Sequence, residues 1–302
     1  MHRRFLLPLA NRARSYEHRG VRRWRRGPTW VLLSLLTLSL WAAPPPDTNP
    51  SEFIRVTGEP WKVGEVRSYS ITFDEAPFGR EMVRLDSIRG ERAQRQLQFS
   101  QTQILDLRAV GSEGSVASYS SVRYDTQRRA LSYRVQRVYR KESGYSTYQK
   151  SAEGKDSNSF TLDLERSPAS LLFRSGGEPQ VIPVLDPAGA VLLDPLSMGH
   201  WERMFAADEW RVGEVKHRTI LLPSGPFRYD FHLPVRALAP PAPIKLEVSV
   251  SVEGRETVEI FSLPIPSFRC HIPELGYTLW VSGSGGILKF SDGRGLVVRL
   301  EQ

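Results

Sequence analysis

The chain of 302 residues has a single cysteine, Cys270, so an intramolecular disulfide framework is excluded. It has no Cys pair, no His-Glu-x-x-His and no Gly-x-Ser-x-Gly, which removes the commonest zinc and serine-hydrolase signatures. Histidine is scarce as well, six in all, and only His200, His217, His232 and His271 lie beyond the N-terminal segment. None has a second His or Cys at ligand spacing. Long apolar runs are missing too. The longest, Trp30 to Ala43, covers 14 residues, short of the roughly 18 that a membrane-spanning helix needs.

The basic excess is local. Residues 1–43 hold nine of the 41 basic residues and one of the 33 acidic ones, which leaves 32 of each in the rest. The pI near 9.7 therefore belongs to the N-terminal segment, and a nucleic-acid binder, whose folded domain carries the basic patch, is set aside. Arg22-Arg23-Trp24-Arg25-Arg26 followed by the apolar run and small residues reads as a signal peptide or uncleaved signal anchor over 1–43. This predicts a periplasmic or secreted protein. Pro44-Pro45-Pro46 opens a semi-rigid linker over 44–60, within which Ser51 to Thr57 is expected to add a short edge strand.

What is present is a repeat. Trp61-Lys62-Val63-Gly64-Glu65-Val66-Arg67 recurs as Trp210-Arg211-Val212-Gly213-Glu214-Val215-Lys216, and the same offset aligns Ile71 with Ile220 and Pro77-Phe78 with Pro226-Phe227. The two copies predict two similar hairpins. They divide the chain into a first β half over 61–185, a helical connector over 186–209 and a second β half over 210–302.

Period-two alternation runs through both halves. Tyr69, Ile71 and Phe73 alternate with Ser70 and Thr72, and Leu246, Val248, Val250 and Val252 alternate with Glu247, Ser249 and Ser251. Turns are expected at Glu75 to Gly79 and at Gly254, and a bulge near Gln136, where the apolar parity changes. The polar stretch 142–159 reads as an exposed hairpin tip or loop. One segment breaks the alternation: Leu196 to Phe205 predicts a short helix near 196–206, with Trp201 and Phe205 on one apolar face and Gly199 in its interior. The expected fold is all-β: a large antiparallel curved sheet, half-barrel or sandwich built from two pseudo-repeated halves, with one short helical segment.

Candidate sites are few. Asp74-Glu75 suits turn geometry better than paired-carboxylate chemistry. Cys270, between Phe268 and Ile272 in alternation, reads as a small core residue. The repeated Trp reads as a seal at a sheet end. Arg123, Arg128, Arg134, Arg137, Tyr139 and Arg140 form a basic and aromatic band, a candidate face for an anionic partner or an ordinary solvated strand face. No cofactor, metal or catalytic residue is singled out.

Val63-Gly64-Glu65 near the start and Trp280-Val281-Ser282 followed by Gly286-Ile287-Leu288-Lys289 near the end resemble the pattern of an exported bacterial β-protein family of unknown function. That family is distantly similar to the periplasmic lipoprotein-carrier fold, in which a curved sheet wraps a hydrophobic cavity. The resemblance implies a concave apolar face suited to a lipid-like ligand and transfers no catalytic residue. The expectation is an exported, non-enzymatic envelope protein that binds a lipid-like or other apolar ligand and touches membrane through its leader or peripherally. A structural module that docks an envelope protein is the alternative, and a hydrolase the third reading. An unfilled cavity between sheet and helix favours the first and a filled core the second. His200, Glu202 and another acid clustered in a cleft favour the third.

Overall fold

A computed structural model describes residues 53–55, 60–90, 94–111, 114–140, 157–165, 168–174, 178–184, 189–223 and 243–301. The leader, most of the linker, residues 142–156, Pro226-Phe227 and His232 lie outside them.

Strands β1 (Phe53–Ile54), β2 (Val66–Phe73), β3 (Ala76–Arg89), β4 (Gln96–Asp106), β5 (Ser115–Tyr124), β6 (Ala130–Arg140), β7 (Ser157–Asp163), β8 (Ser170–Arg174), β9 (Gln180–Pro183) and β10 (Val191–Leu192) precede the helix α1 (Met198–Ala206). After it come β11 (Trp210–Arg211), β12 (Val215–Leu222), β13 (Ile244–Ile260), β14 (Leu263–Ile272), β15 (Tyr277–Val281), β16 (Ile287–Ser291) and β17 (Leu296–Leu300). Among the described residues, fifteen strands form one sheet in the order β10-β12-β13-β14-β15-β16-β17-β2-β3-β4-β5-β6-β7-β8-β9, with β1 and β11 paired separately. The two halves are thus one continuous sheet, joined where β17 pairs antiparallel with β2. Every pairing is antiparallel except that of β10 with β12.

The sheet is curved, and α1 shows by how much. Its His200 ring lies 5.0 Å from Tyr133 on β6, while its Trp201 ring lies 6.0 Å from Tyr277 on β15. Those strands are seven spacings apart, roughly 33 Å if the sheet were flat. A helix about 10–12 Å across reaches both only if the sheet curls around it. Every residue of α1 is buried, so the concave face is occupied by the chain's own helix. Gly199 permits the close approach, since a Cβ there would stand 3.0 Å from Val83 Cγ1 on β3.

The repeat forms the same local structure twice. Gly64 and Gly213 hold φ of +84° and +83°. The Gly64 amide donates to Leu85 O at 2.8 Å and the Gly213 amide to Val252 O at 2.8 Å. Lys62 N and Arg211 N donate to Glu65 Oε2 and Glu214 Oε2 at 2.9 and 3.0 Å. Leu85 and Val252 are each followed by a bulge in the pairing to the next strand. Trp61 and Trp210 are both buried under a cation, Arg67 at 4.0 Å and Lys216 at 5.1 Å from the ring centre.

Three local expectations are corrected. The first hairpin turns at Asp74-Glu75, whose φ of +46° and +67° suit a type I′ turn. Pro77 and Gly79 already belong to β3, with the register shifted opposite Ile71 and Thr72. Gly254 makes no turn. It marks a bulge in β13, which continues to Ile260 and reverses at Phe261-Ser262. Gln136 makes no bulge either, because β6 pairs with β5 and β7 in unbroken register there. Val138 changes the parity by facing outward, paired with Ala117.

The twin geometry sets matched costs. Gly64→Ala and Gly213→Ala should each destabilise by about 1–2 kcal/mol from the left-handed backbone alone, because a Cβ at either site meets nothing within 4 Å. Gly79→Ala should cost about 3 kcal/mol, since its Cβ would lie 2.2 Å from Ile104 O. Urea denaturation of the three variants checks both the equality of the pair and the excess of the third.

Candidate functional site

The alternation of β2 and β3 puts charged residues on the apolar parity. Arg67 shares its face with Tyr69 and Ile71, and Glu81 shares its face with Val83 and Leu85. Both point toward α1. The helix answers with His200, Glu202 and Arg203, each nearly devoid of solvent. A polar cluster is therefore enclosed between helix and sheet.

Glu202 is its most heavily bonded member. It accepts from Trp61 Nε1 at 2.8 Å, Arg67 NH1 at 2.9 and 2.8 Å, Tyr69 Oη at 3.0 Å and the Ile287 amide at 3.2 Å. Arg67 also donates to Glu65 and to Pro60 O. Burial, reinforced by the Glu202 charge, pushes the Tyr69 phenol well above its ordinary range. With both carboxylate oxygens engaged by donors from three parts of the chain, Glu202 is placed to hold elements together.

A second group surrounds the helix entry. The Asp194 amide donates to His200 Nδ1 at 2.9 Å, so the neutral ring carries its proton on Nε2. Tyr133 Oη donates to Asp194 Oδ2 at 2.8 Å. Burial lowers the His200 pKa to about 4, with Asp194 acting in the opposite direction. Among the described residues, His200 Nε2 and Tyr124 Oη are buried without a hydrogen-bond partner, their rings 6.3 Å apart. At the first turn, Ser197 donates to Gln101 Oε1 at 2.5 Å instead of capping. Glu81, from β3, accepts the Met198 amide at 3.1 Å in its place. Burial raises the Glu81 carboxyl well above the usual carboxylate range, a shift the Met198 amide opposes.

His200 and Glu202 therefore serve different groups, and both are enclosed. Two residues apart on a helix, they point to opposite sides: His200 to Tyr124 and Tyr133, Glu202 to Trp61 and Arg67. Cys270 is fully buried in β14, and burial pushes its thiol upward. Among the described residues no group of three His, Cys, Asp or Glu is placed to hold a metal. None of their helices is long and apolar enough to cross a membrane, which says nothing of spanning strands.

The basic band does not make one face. Arg123 donates to Ser132 Oγ and pairs with Glu165 at 2.6 Å on the outer side. Arg134 and Arg140 share that outer parity. Arg137 and Tyr139 fall on the inner parity, Arg137 over the Phe160 ring at 5.5 Å and Tyr139 against the core. Arg128 sits in the β5–β6 turn with φ of +63°. Trp201 and Phe205 are both fully buried, packed on Phe290 and Trp210. Sequence reasoning passed over Arg67, Glu81 and Asp194. The signal for the first two was their place on an apolar parity, which predicts an enclosed partner.

No protein-family model matches the chain, and a search of the curated proteins finds no match. Among solved structures, a Bacteroides fragilis crystal structure described as a "putative exported protein with YmcC-like fold" is 9% identical over 83% of this chain and 99% of that one. Its TM-score of 0.26 is too low to carry an argument.

Removing the Glu202 carboxylate leaves Arg67 without its main partner. Glu202→Ala should cost about 3–5 kcal/mol by chemical denaturation, and Arg67→Met in the same chain should recover part of the loss. His200 sets a pH dependence. Its folded pKa of about 4 lies below the ordinary value near 6.5, so between those values the unfolded chain binds more protons. Stability should thus be intact above pH 6.5 and fall toward pH 4, by up to about 3 kcal/mol from this group. In His200→Gln, which retains an acceptor for the Asp194 amide, the slope of stability against pH over that window should be shallower.

Proposed function

We propose that the chain is an exported, non-enzymatic interaction module that meets its partners through the outside of its sheet. The observation carrying this reading is the complete burial of α1 against the concave face. A carrier of apolar molecules needs that space, and here it holds Met198, Trp201, Met204 and Phe205, all fully buried. The outer face supports the reading. Met82, Ile104 and Tyr119 stand exposed on three neighbouring strands; Met82 and Tyr119 both pair with Thr102, and Ile104 pairs with Ala117, which pairs with Val138. Export rests on the basic and apolar leader.

Native-state hydrogen exchange tests the reading directly. The amides of α1 should exchange only with global unfolding. Protein purified from its native envelope should carry no stoichiometric apolar molecule by mass spectrometry. An α1 that opens far below the global free energy, in protein that retains such a molecule, would restore the carrier reading.

A further inference from the structure

The hairpin of β13 and β14 extends beyond its neighbours. Strand β12 pairs with β13 only as far as Ser251, and β15 pairs with β14 only as far as Phe268. Among the described residues, the pairs from Glu256↔Ser267 to Ile260↔Leu263 are made by the two strands alone. This two-stranded ribbon is held firmly. Val258 and Ile260 pack with Ile265 against Leu288, Trp280 and Leu300 in a cluster separate from the main core. Trp280 Nε1 donates to Glu256 at 2.6 Å.

The end of the ribbon breaks the usual rules for a hairpin. Its two central residues, Phe261 and Ser262, hold φ of +52° and +61°, where Asn and Gly are favoured and a bulky aromatic is strained. Phe261 is 66% exposed and Leu263 is 61% exposed. Neither side chain gains the burial that would offset the strain. Strain of this kind points to a role outside the fold. From Thr257 to Pro266 the one charged residue is Glu259.

We propose that the Phe261–Leu263 tip inserts into the interfacial layer of a lipid bilayer and makes the protein a peripheral membrane binder. Three features favour a bilayer over a protein groove. The tip is a convex wedge, which a deformable medium accommodates without a matching pocket. The ladder closes at Ile260↔Leu263, and Pro264 and Pro266 carry no backbone N–H, so insertion limited to the tip brings few unpaired backbone donors into the apolar layer. Its near-absence of charge suits uncharged head groups and gives no purchase for salt-dependent attraction. An exposed aromatic beside an aliphatic residue is also the composition of interfacial anchors. The proposal is independent of the filled concave face, because hydrogen exchange of α1 does not report on the tip.

The test uses the full chain carrying Ser262→Cys, labelled with a polarity-sensitive fluorophore; Cys270 is fully buried and stays unlabelled in the native state. Phosphatidylcholine vesicles should shift the emission to the blue, with little effect of added salt. The label reads the tip alone, so binding by the leader does not produce the signal. With Phe261→Asn and Leu263→Thr on the same background, the apparent partition coefficient should fall at least about tenfold, from the lost apolar burial. The thermal midpoint should hold or rise, since Asn suits the turn better. Absence of a shift with vesicles, a shift unchanged by the double substitution, or a shift seen only on addition of a partner protein would overturn the proposal.

Discussion

The carboxylate of Glu202 is the point on which the structure depends. It lies on α1 and is bonded by Trp61 from the opening repeat, Arg67 and Tyr69 from β2, and the Ile287 amide of β16. These donors come from chain positions up to 226 residues apart (Trp61 to Ile287). A buried ion pair is weak evidence for stability, because desolvation offsets much of its attraction. Here its effect is to specify. A carboxylate that must satisfy Trp61, Arg67, Tyr69 and a backbone amide together admits one rotation and one depth of the helix in the curl of the sheet.

The duplicated stretch acquires its meaning from the same helix. Trp61 donates its indole N–H to the Glu202 side chain, and Trp210 donates its own to the Phe205 carbonyl at 3.2 Å. One copy thus engages the middle of α1. The other satisfies a carbonyl near its C-terminal end, where intrahelical partners run out. Arg67 and Lys216 occupy matching positions over the two indoles, but only Arg67 has the fork to bond Glu202 and Glu65 at once. Lys216 is a point charge and settles on the Glu209 carbonyl. The copies share a backbone and differ in what they hold.

Much of the fold was legible because alternation and turn residues report on local geometry. The strands from Gln96 to Arg140, the helix near 196–206, the buried Cys270 and the structural place of the repeated Trp followed from pattern alone. The errors have physical causes. Asp74-Glu75 and Phe261-Ser262 lack the glycine that announces a type I′ turn, so the reversals were placed at nearby Gly and Pro instead. Gly254 is a bulge, which a single sequence does not distinguish from a turn. The enclosed polar groups were less legible. His200, Glu202 and Arg203 look like the solvent side of an amphipathic helix, and only wrapping by a sheet on several sides hides them. Arg67 and Glu81 did carry a signal, being charged residues on an apolar parity, but it names no partner.

The same wrapping bears on function. Emptying the concave face would expose Met198, Trp201, Met204 and Phe205, at about 1.5–3 kcal/mol for each side chain. It would also strand Arg67 and the indoles of Trp61 and Trp210. That sum is of the order of the whole stability of a typical domain, about 5–15 kcal/mol. Displacing the helix is therefore close to unfolding the protein, and a ligand would have to replace nearly all of its contacts to make the exchange favourable. The outer surface has no such barrier. Its exposed apolar groups, at the ribbon tip and across β3 to β5, can meet a partner while the interior stays as it is.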